Sequence, residues 1–157
     1  METSQLKKYA QSARRSLLDQ VSTKLKYALA KDSPIRRDKP TLVKQLEDQI
    51  EAHSKDYLIE KAAYIWFNRF CALRFMDVNN YTEIGIVSPA PGQSQPQILA
   101  EAKMGHISDA VSDEIKQRVL SLLNGKTASR DPQSEAYKLL IVAMCNYYHS
   151  IMPFLFE

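Results

Sequence analysis

Residues 62–81 read AAYIWFNRFCALRFMDVNNY, and the first fifteen of them hold twelve apolar side chains against Asn68, Arg69 and Arg74. Apolar residues that cover nearly the whole circumference of a helix predict one buried on most sides. Ser54 with Asp56 marks its start, and it runs to about Asp77 as a central core helix. Arg69 and Arg74 are five residues apart, about 140° around the helix, so they cannot form one two-pronged clamp. An unpaired buried guanidinium is costly, and both arginines therefore read as structural. Asp77, one turn beyond Arg74, and Glu60 and Asp56 near the helix start are the candidate partners. The functional alternative places one arginine at a domain interface facing nucleic-acid phosphate.

Helical spacing continues on both sides of this segment. Leu6, Tyr9, Ala13, Leu17, Val21, Leu25 and Leu29 recur at steps of three or four, which predicts an amphipathic helix over residues 4–30. The two prolines of KDSPIRRDKP (31–40) break it, and Thr41 can cap a short second helix to about His53. Residues 78–97 are the least helical stretch: Asn79-Asn80 turns the chain, 84–87 reads as a short strand, and three prolines follow. Further helices are expected near 98–104 and 112–123, the latter closed by Asn124-Gly125. Asp131 or Ser129 can cap a last helix with Pro132 in its first turn. The expected fold is all-α, a five- to six-helix bundle in one domain over 1–157 with a proline-rich irregular segment near 78–97.

Composition narrows the classes. The chain has 157 residues, 45% hydrophobic and 25% charged, as in an ordinary globular protein. Its longest apolar run, from Leu139 to Cys145, is far shorter than the ~20 residues that cross a membrane. The opening METSQLKKYAQSARR lacks the apolar core of a signal peptide, so a cytoplasmic location is expected. Cys71 and Cys145 read as reduced core thiols. Cys145 and His149 share a helical face, but nothing nearby completes four zinc ligands. No metal site is expected.

Catalytic signatures are missing from the sequence. The four glycines are too scattered for a phosphate-cradling or dinucleotide loop, and there is no HExxH, GxSxG or SxxK. The Asn-Pro-Pro-Tyr class of motif used by amino methyltransferases needs paired prolines, which do not occur. No catalytic or cofactor-binding residue is therefore assigned. The closing MPFLFE is more apolar than chain ends usually are, which suggests a domain cut from a longer protein.

Charge supplies the candidate site. Residues 1–40 carry a net +6 and the remainder a net −3. Lys7 aligns with Arg14 and Lys8 with Arg15 on one helix, while Arg36 and Arg37 follow in the connecting segment. These six can neutralise phosphates without reading sequence, so they are the candidate DNA-backbone contacts. The competing reading is an ordinary solvated helix face. Tyr147, Tyr148, His149 and residues 154–156 are expected to divide between core and a docking surface for a further domain, rather than to stack on bases.

Four blocks resemble a known family: LKKYAQSARRSLLDQVSTKL (6–25), AAYIWFNRFCALRFMDVNNYTEIGIVSP (62–89), QILAEAKMGH (97–106) and SRDPQSEAYKLLIVAMCNYYHSIMPFLFE (129–157). Together they are similar to the N-terminal region of the PglX family, the adenine-specific DNA methyltransferases of BREX (bacteriophage exclusion) systems. The resemblance implies a non-catalytic helical domain ahead of an S-adenosylmethionine-dependent adenine-N6 methyltransferase domain. The cofactor would then belong to the full-length protein, with its glycine-rich loop and Asn-Pro-Pro-Tyr motif beyond Glu157. Implied partners are that downstream domain, double-stranded DNA and other BREX proteins, with no membrane. The alternative is a free-standing helical nucleic-acid-binding or protein-interaction module. A helix-turn-helix does not fit the connections at 31–40, 78–97, 105–112 and 124–131, which are longer than its tight turn.

Overall fold

The structure, a computed structural model, describes residues 3–156. Among these residues it is all-α, with seven helices and no strand. They are α1 (Thr3–Leu29), α2 (Pro34–Asp38), α3 (Pro40–Ala52), α4 (Lys55–Val78), α5 (Gln97–Lys103), α6 (Asp113–Leu123) and α7 (Pro132–Ile151). The chain divides into two compact units, Met1–Phe67 and Asn68–Glu157, with the boundary inside α4.

In the first unit α1, α2 and α3 pack on one another, and Leu25, Val43, Ile59 and Ala63 are buried. The prolines of segment 31–40 start helices as well as ending one. Pro34 and Pro40 occupy the first turns of α2 and α3, where the missing N–H costs nothing. Buried Ser33 caps α2 by accepting the Ile35 N–H at 3.2 Å. Thr41, expected as the cap of the second helix, lies inside α3, whose N-cap is Lys39. Ser54 does cap α4, accepting the Tyr57 N–H at 3.1 Å.

In the second unit α5, α6 and α7 pack mutually around Ile98, Val111, Val119, Leu140 and Cys145, with Leu73 of α4, Ile86 and Phe156 fully covered. Asp131 caps α7 through the Ser134 N–H at 3.1 Å. Gly125, with φ of 69°, takes the left-handed position expected after α6.

Three expectations for α4 fail. Its apolar circumference is only partly covered: Tyr64 and Phe75 are exposed, and so is Cys71, expected in the core. Cys145 is the buried thiol, and burial pushes it up to about 11 against the opposing charge of Arg69. Asp77 does not pair with Arg74, whose guanidinium instead donates to the Ser88 hydroxyl. Glu60, another of the three proposed partners, faces Arg14 at 3.7 Å.

The Asp77 carboxylate is committed to the backbone that follows it. Oδ1 accepts the Thr82 hydroxyl at 3.0 Å and the Ile86 N–H at 3.0 Å. Oδ2 accepts the N–H groups of Val87 at 2.9 Å and Ser88 at 3.0 Å. Residues 84–87 do not form the expected strand: the Ile86 and Val87 N–H groups go to this carboxylate instead of a neighbouring strand. Tyr137 of α7 donates its hydroxyl to the Ile86 carbonyl at 3.1 Å. Burial, followed by the Asp77 charge, pushes that phenol up to about 12, so it stays a donor. Gln97 closes the segment, its side chain accepting the Gly85 N–H and its own N–H reaching the Ser88 carbonyl, both at 3.0 Å.

Gly85 has no room for a side chain, since an added Cβ would lie 2.5 Å from the Ser88 carbonyl oxygen. Gly85→Ala is expected to cost about 2 kcal/mol by overpacking. Asp77→Ala should cost about 3 kcal/mol or more, because it strands several donors at once. Urea midpoints at unchanged slope would register both losses. Wild-type midpoints would remove the carboxylate from its organising role.

Candidate nucleic-acid interface

Residues 1–67 hold thirteen Lys and Arg against nine Asp and Glu, a net +4, whereas residues 68–157 have a net −1. The positive excess therefore belongs to the first unit. Within α1, residues seven apart sit on one face about 10.5 Å apart along the axis. Lys7, Lys8, Arg14 and Arg15 are all exposed there. Arg14 spends part of its charge on Glu60, an exposed pair worth little in water. Among the described residues no ion pair engages Lys7, Lys8 or Arg15.

The two loop arginines differ from these and from each other. Arg36 Nη2 donates to Glu47 at 2.6 Å and to the Leu29 carbonyl at 3.1 Å, so it ties the end of α1 to α3. Its Nε is buried without a partner. A guanidinium held this way has little left to offer a phosphate. Arg37 is 81% exposed and pairs with its neighbour Asp38 at 3.1 Å. The structure thus puts Lys7, Lys8, Arg14 and Arg15 together on one surface helix, leaves Arg37 outward, and turns Arg36 inward.

The apolar stripe of α1 is covered only toward its C-terminal end. Leu25 is buried, whereas Leu6 and Tyr9 are exposed at 56% and 71%. The first turns of α1 therefore expose both basic and apolar side chains.

In the second unit the C-terminal aromatics divide between buried and exposed positions. Phe156 is fully buried and stacks on Tyr148 with centroids 5.4 Å apart, while Tyr147 and Phe154 are exposed. The Phe156 carbonyl only accepts, so His149 donates to it from Nδ1 at 3.0 Å. No group of three or more His, Cys, Asp or Glu side chains among the described residues could hold a metal ion. No helix among them is long and apolar enough to cross a membrane. The unit also has a groove of about 700 Å³ between α6 and α7 and a pocket of about 430 Å³ beside Tyr147 and Tyr148. Periodicity gave no sign of the pocket, because one wall comes from the irregular segment 81–86.

The chain is similar to two curated methyltransferases, in accord with the resemblance read from its sequence blocks. It is 29% identical over 187 positions to the adenine-specific methyltransferase BrxX of Escherichia coli O9:H4 (strain HS), a match covering 100% of this chain and 14% of that protein. It is 36% identical over 108 positions to the adenine-specific methyltransferase PglX of Lacticaseibacillus casei (strain Zhang), covering 64% of this chain and 8% of that protein. The chain therefore spans only a small part of the curated relatives it matches. No protein-family model matches it. No solved structure matches it significantly.

The separation of Arg36 from the other basic residues is measurable. Arg36→Met should lower stability by about 1–2 kcal/mol through loss of its charged hydrogen bonds. Lys7→Met, Lys8→Met and Arg15→Met should each stay within about 0.5 kcal/mol of wild type in thermal unfolding. A neutral Arg36→Met would return this arginine to the set available for phosphate.

Proposed function

We propose that the chain is a non-catalytic helical N-terminal part of an S-adenosylmethionine-dependent DNA adenine-N6 methyltransferase acting in BREX phage defence. One observation carries this reading: the whole chain aligns with a small fraction of an adenine-specific methyltransferase. Its work would be to support the catalytic domain and to add the basic face of α1 to the DNA path. Lys7, Lys8, Arg14 and Arg15 would contact phosphates, with Arg37 beside them. S-adenosylmethionine would bind the downstream domain, in the cytoplasm, and other BREX proteins would be further partners.

A second reading, a protein-interaction module, is favoured by the exposed apolar side chains of α4, including Tyr57, Tyr64 and Phe75. In that case the basic face is an ordinary solvated one.

Reading the gene past codon 157 tests the first proposal. The expected result is an open frame several times the length of this chain, encoding a glycine-rich loop and then Asn-Pro-Pro-Tyr. A stop codon directly after Glu157 would overturn it.

The DNA contact has its own test, fluorescence anisotropy of a short duplex across a salt series. Binding should weaken steeply with salt, and alanine at Lys7, Lys8, Arg14 and Arg15 together should flatten the log–log slope by about 3.6. A slope unchanged by the four substitutions would take α1 out of the DNA path.

A further inference from the structure

The groove between α6 and α7 carries mixed charge, Glu114 and Glu135 with Arg118 and Lys138, and so specifies no occupant. The smaller pocket of the second unit has a definite chemistry. At about 430 Å³ it lies toward the lower end of the range for ligand sites. Tyr81, Tyr147 and Tyr148 line it together with the aliphatic side chains of Ile84, Met144 and Ile151. The Tyr147 and Tyr148 rings lie 5.2 Å apart at 68°, which makes an aromatic corner. Both outer rings are braced by neighbours. Tyr148 stacks on buried Phe156, and Tyr81 meets Phe75 edge-on at 6.0 Å.

Charge decides what fits this corner. The charged residues lining the pocket are Glu83 and Asp109, and no Lys or Arg lines it. Asp109 is already paired with Lys116 at 2.9 Å. Glu83 is exposed and has no ion pair among the described residues. Burial, then the charges of Tyr147, Asp77 and Glu83, raise the Tyr148 hydroxyl. Phosphate would be repelled here. A cation gains from the ring faces, its aliphatic stem from the apolar wall, and its head group from a free carboxylate. Guanidinium suits this set better than ammonium, because it is planar, less strongly hydrated, stacks on aromatic rings and pairs with carboxylate through two N–H groups.

We propose that the pocket lined by Tyr81, Glu83, Tyr147 and Tyr148 receives an arginine side chain presented by a protein partner, with Glu83 as counter-ion and the tyrosine rings as stacking walls. This inference does not rest on the methyltransferase reading, and its test is independent of it.

The test uses the 157-residue chain, ¹⁵N-labelled, titrated with N-acetyl-arginine-methylamide. Saturable shifts are expected at the amides of Tyr81, Glu83, Tyr147 and Tyr148. The neutral isostere N-acetyl-citrulline-methylamide should bind at least about tenfold more weakly, since it keeps the shape and loses the charge. Glu83→Gln should weaken the arginine probe by about tenfold, and Tyr147→Leu should weaken it with the apolar volume retained. Both side chains are exposed, so an unchanged thermal midpoint would confirm that each variant is folded. The proposal is overturned by equal affinity for the citrulline analogue, by an arginine response indifferent to Glu83→Gln in the folded variant, or by no saturable shift at these amides.

Discussion

A single carboxylate organises the middle of this chain. Asp77 closes the apolar helix α4 and immediately receives one hydroxyl and three backbone N–H groups from residues 82–88. An irregular segment under cover must satisfy its donors somehow, and a charged acceptor does so more strongly than a neutral one. With those donors fixed, the carbonyl of Ile86 can take the Tyr137 hydroxyl, and Gln97 at the start of α5 can bridge Gly85 and Ser88. The segment between α4 and α5 thereby becomes a wall of the second unit and a support for the pocket at Tyr147 and Tyr148.

The same arrangement bears on why an arginine occurs in so apolar a helix as α4. Arg74 reaches forward to Ser88, within the segment that Asp77 holds. The charge of Arg69 opposes the upward shift that burial imposes on the Cys145 thiol. Arg74 thus acts within the second unit, as a structural reading of that cation expects. The basic residues that remain available lie elsewhere, on the first turns of α1.

Two surfaces of opposite chemistry result. The first unit offers lysine and arginine on a helix face, suited to a polyanion. The second offers tyrosine rings with a glutamate that has no ion pair among the described residues, suited to a cation. The helix bearing the first surface was legible, because Lys7 with Arg14 and Lys8 with Arg15 follow from a period that sequence reveals directly. The second was not, since Tyr81 and Glu83 come from an aperiodic segment and meet Tyr147 and Tyr148 only through tertiary folding. Arg36 carried the same local signal as Arg37, yet its bonds to Leu29 and Glu47 turn it inward.

By itself, the sequence determined the all-α class, most helix ends, the cap at Ser54, and the left-handed Gly125, all set by interactions within a few residues, while leaving Asp131 and Ser129 as alternative caps of the last helix. It also revealed the blocks that resemble adenine-specific methyltransferases. Its local rules misplaced the start at Pro40, because the proline of a helix-breaking pair also suits a first turn. Only the tertiary structure decided which side of α4 is covered, that Cys71 is exposed while Cys145 is buried, and that Asp77 binds backbone instead of Arg74. The physical reason is range. A carboxylate's partners are whichever donors the fold brings within about 3 Å, and spacing along the chain does not encode that distance.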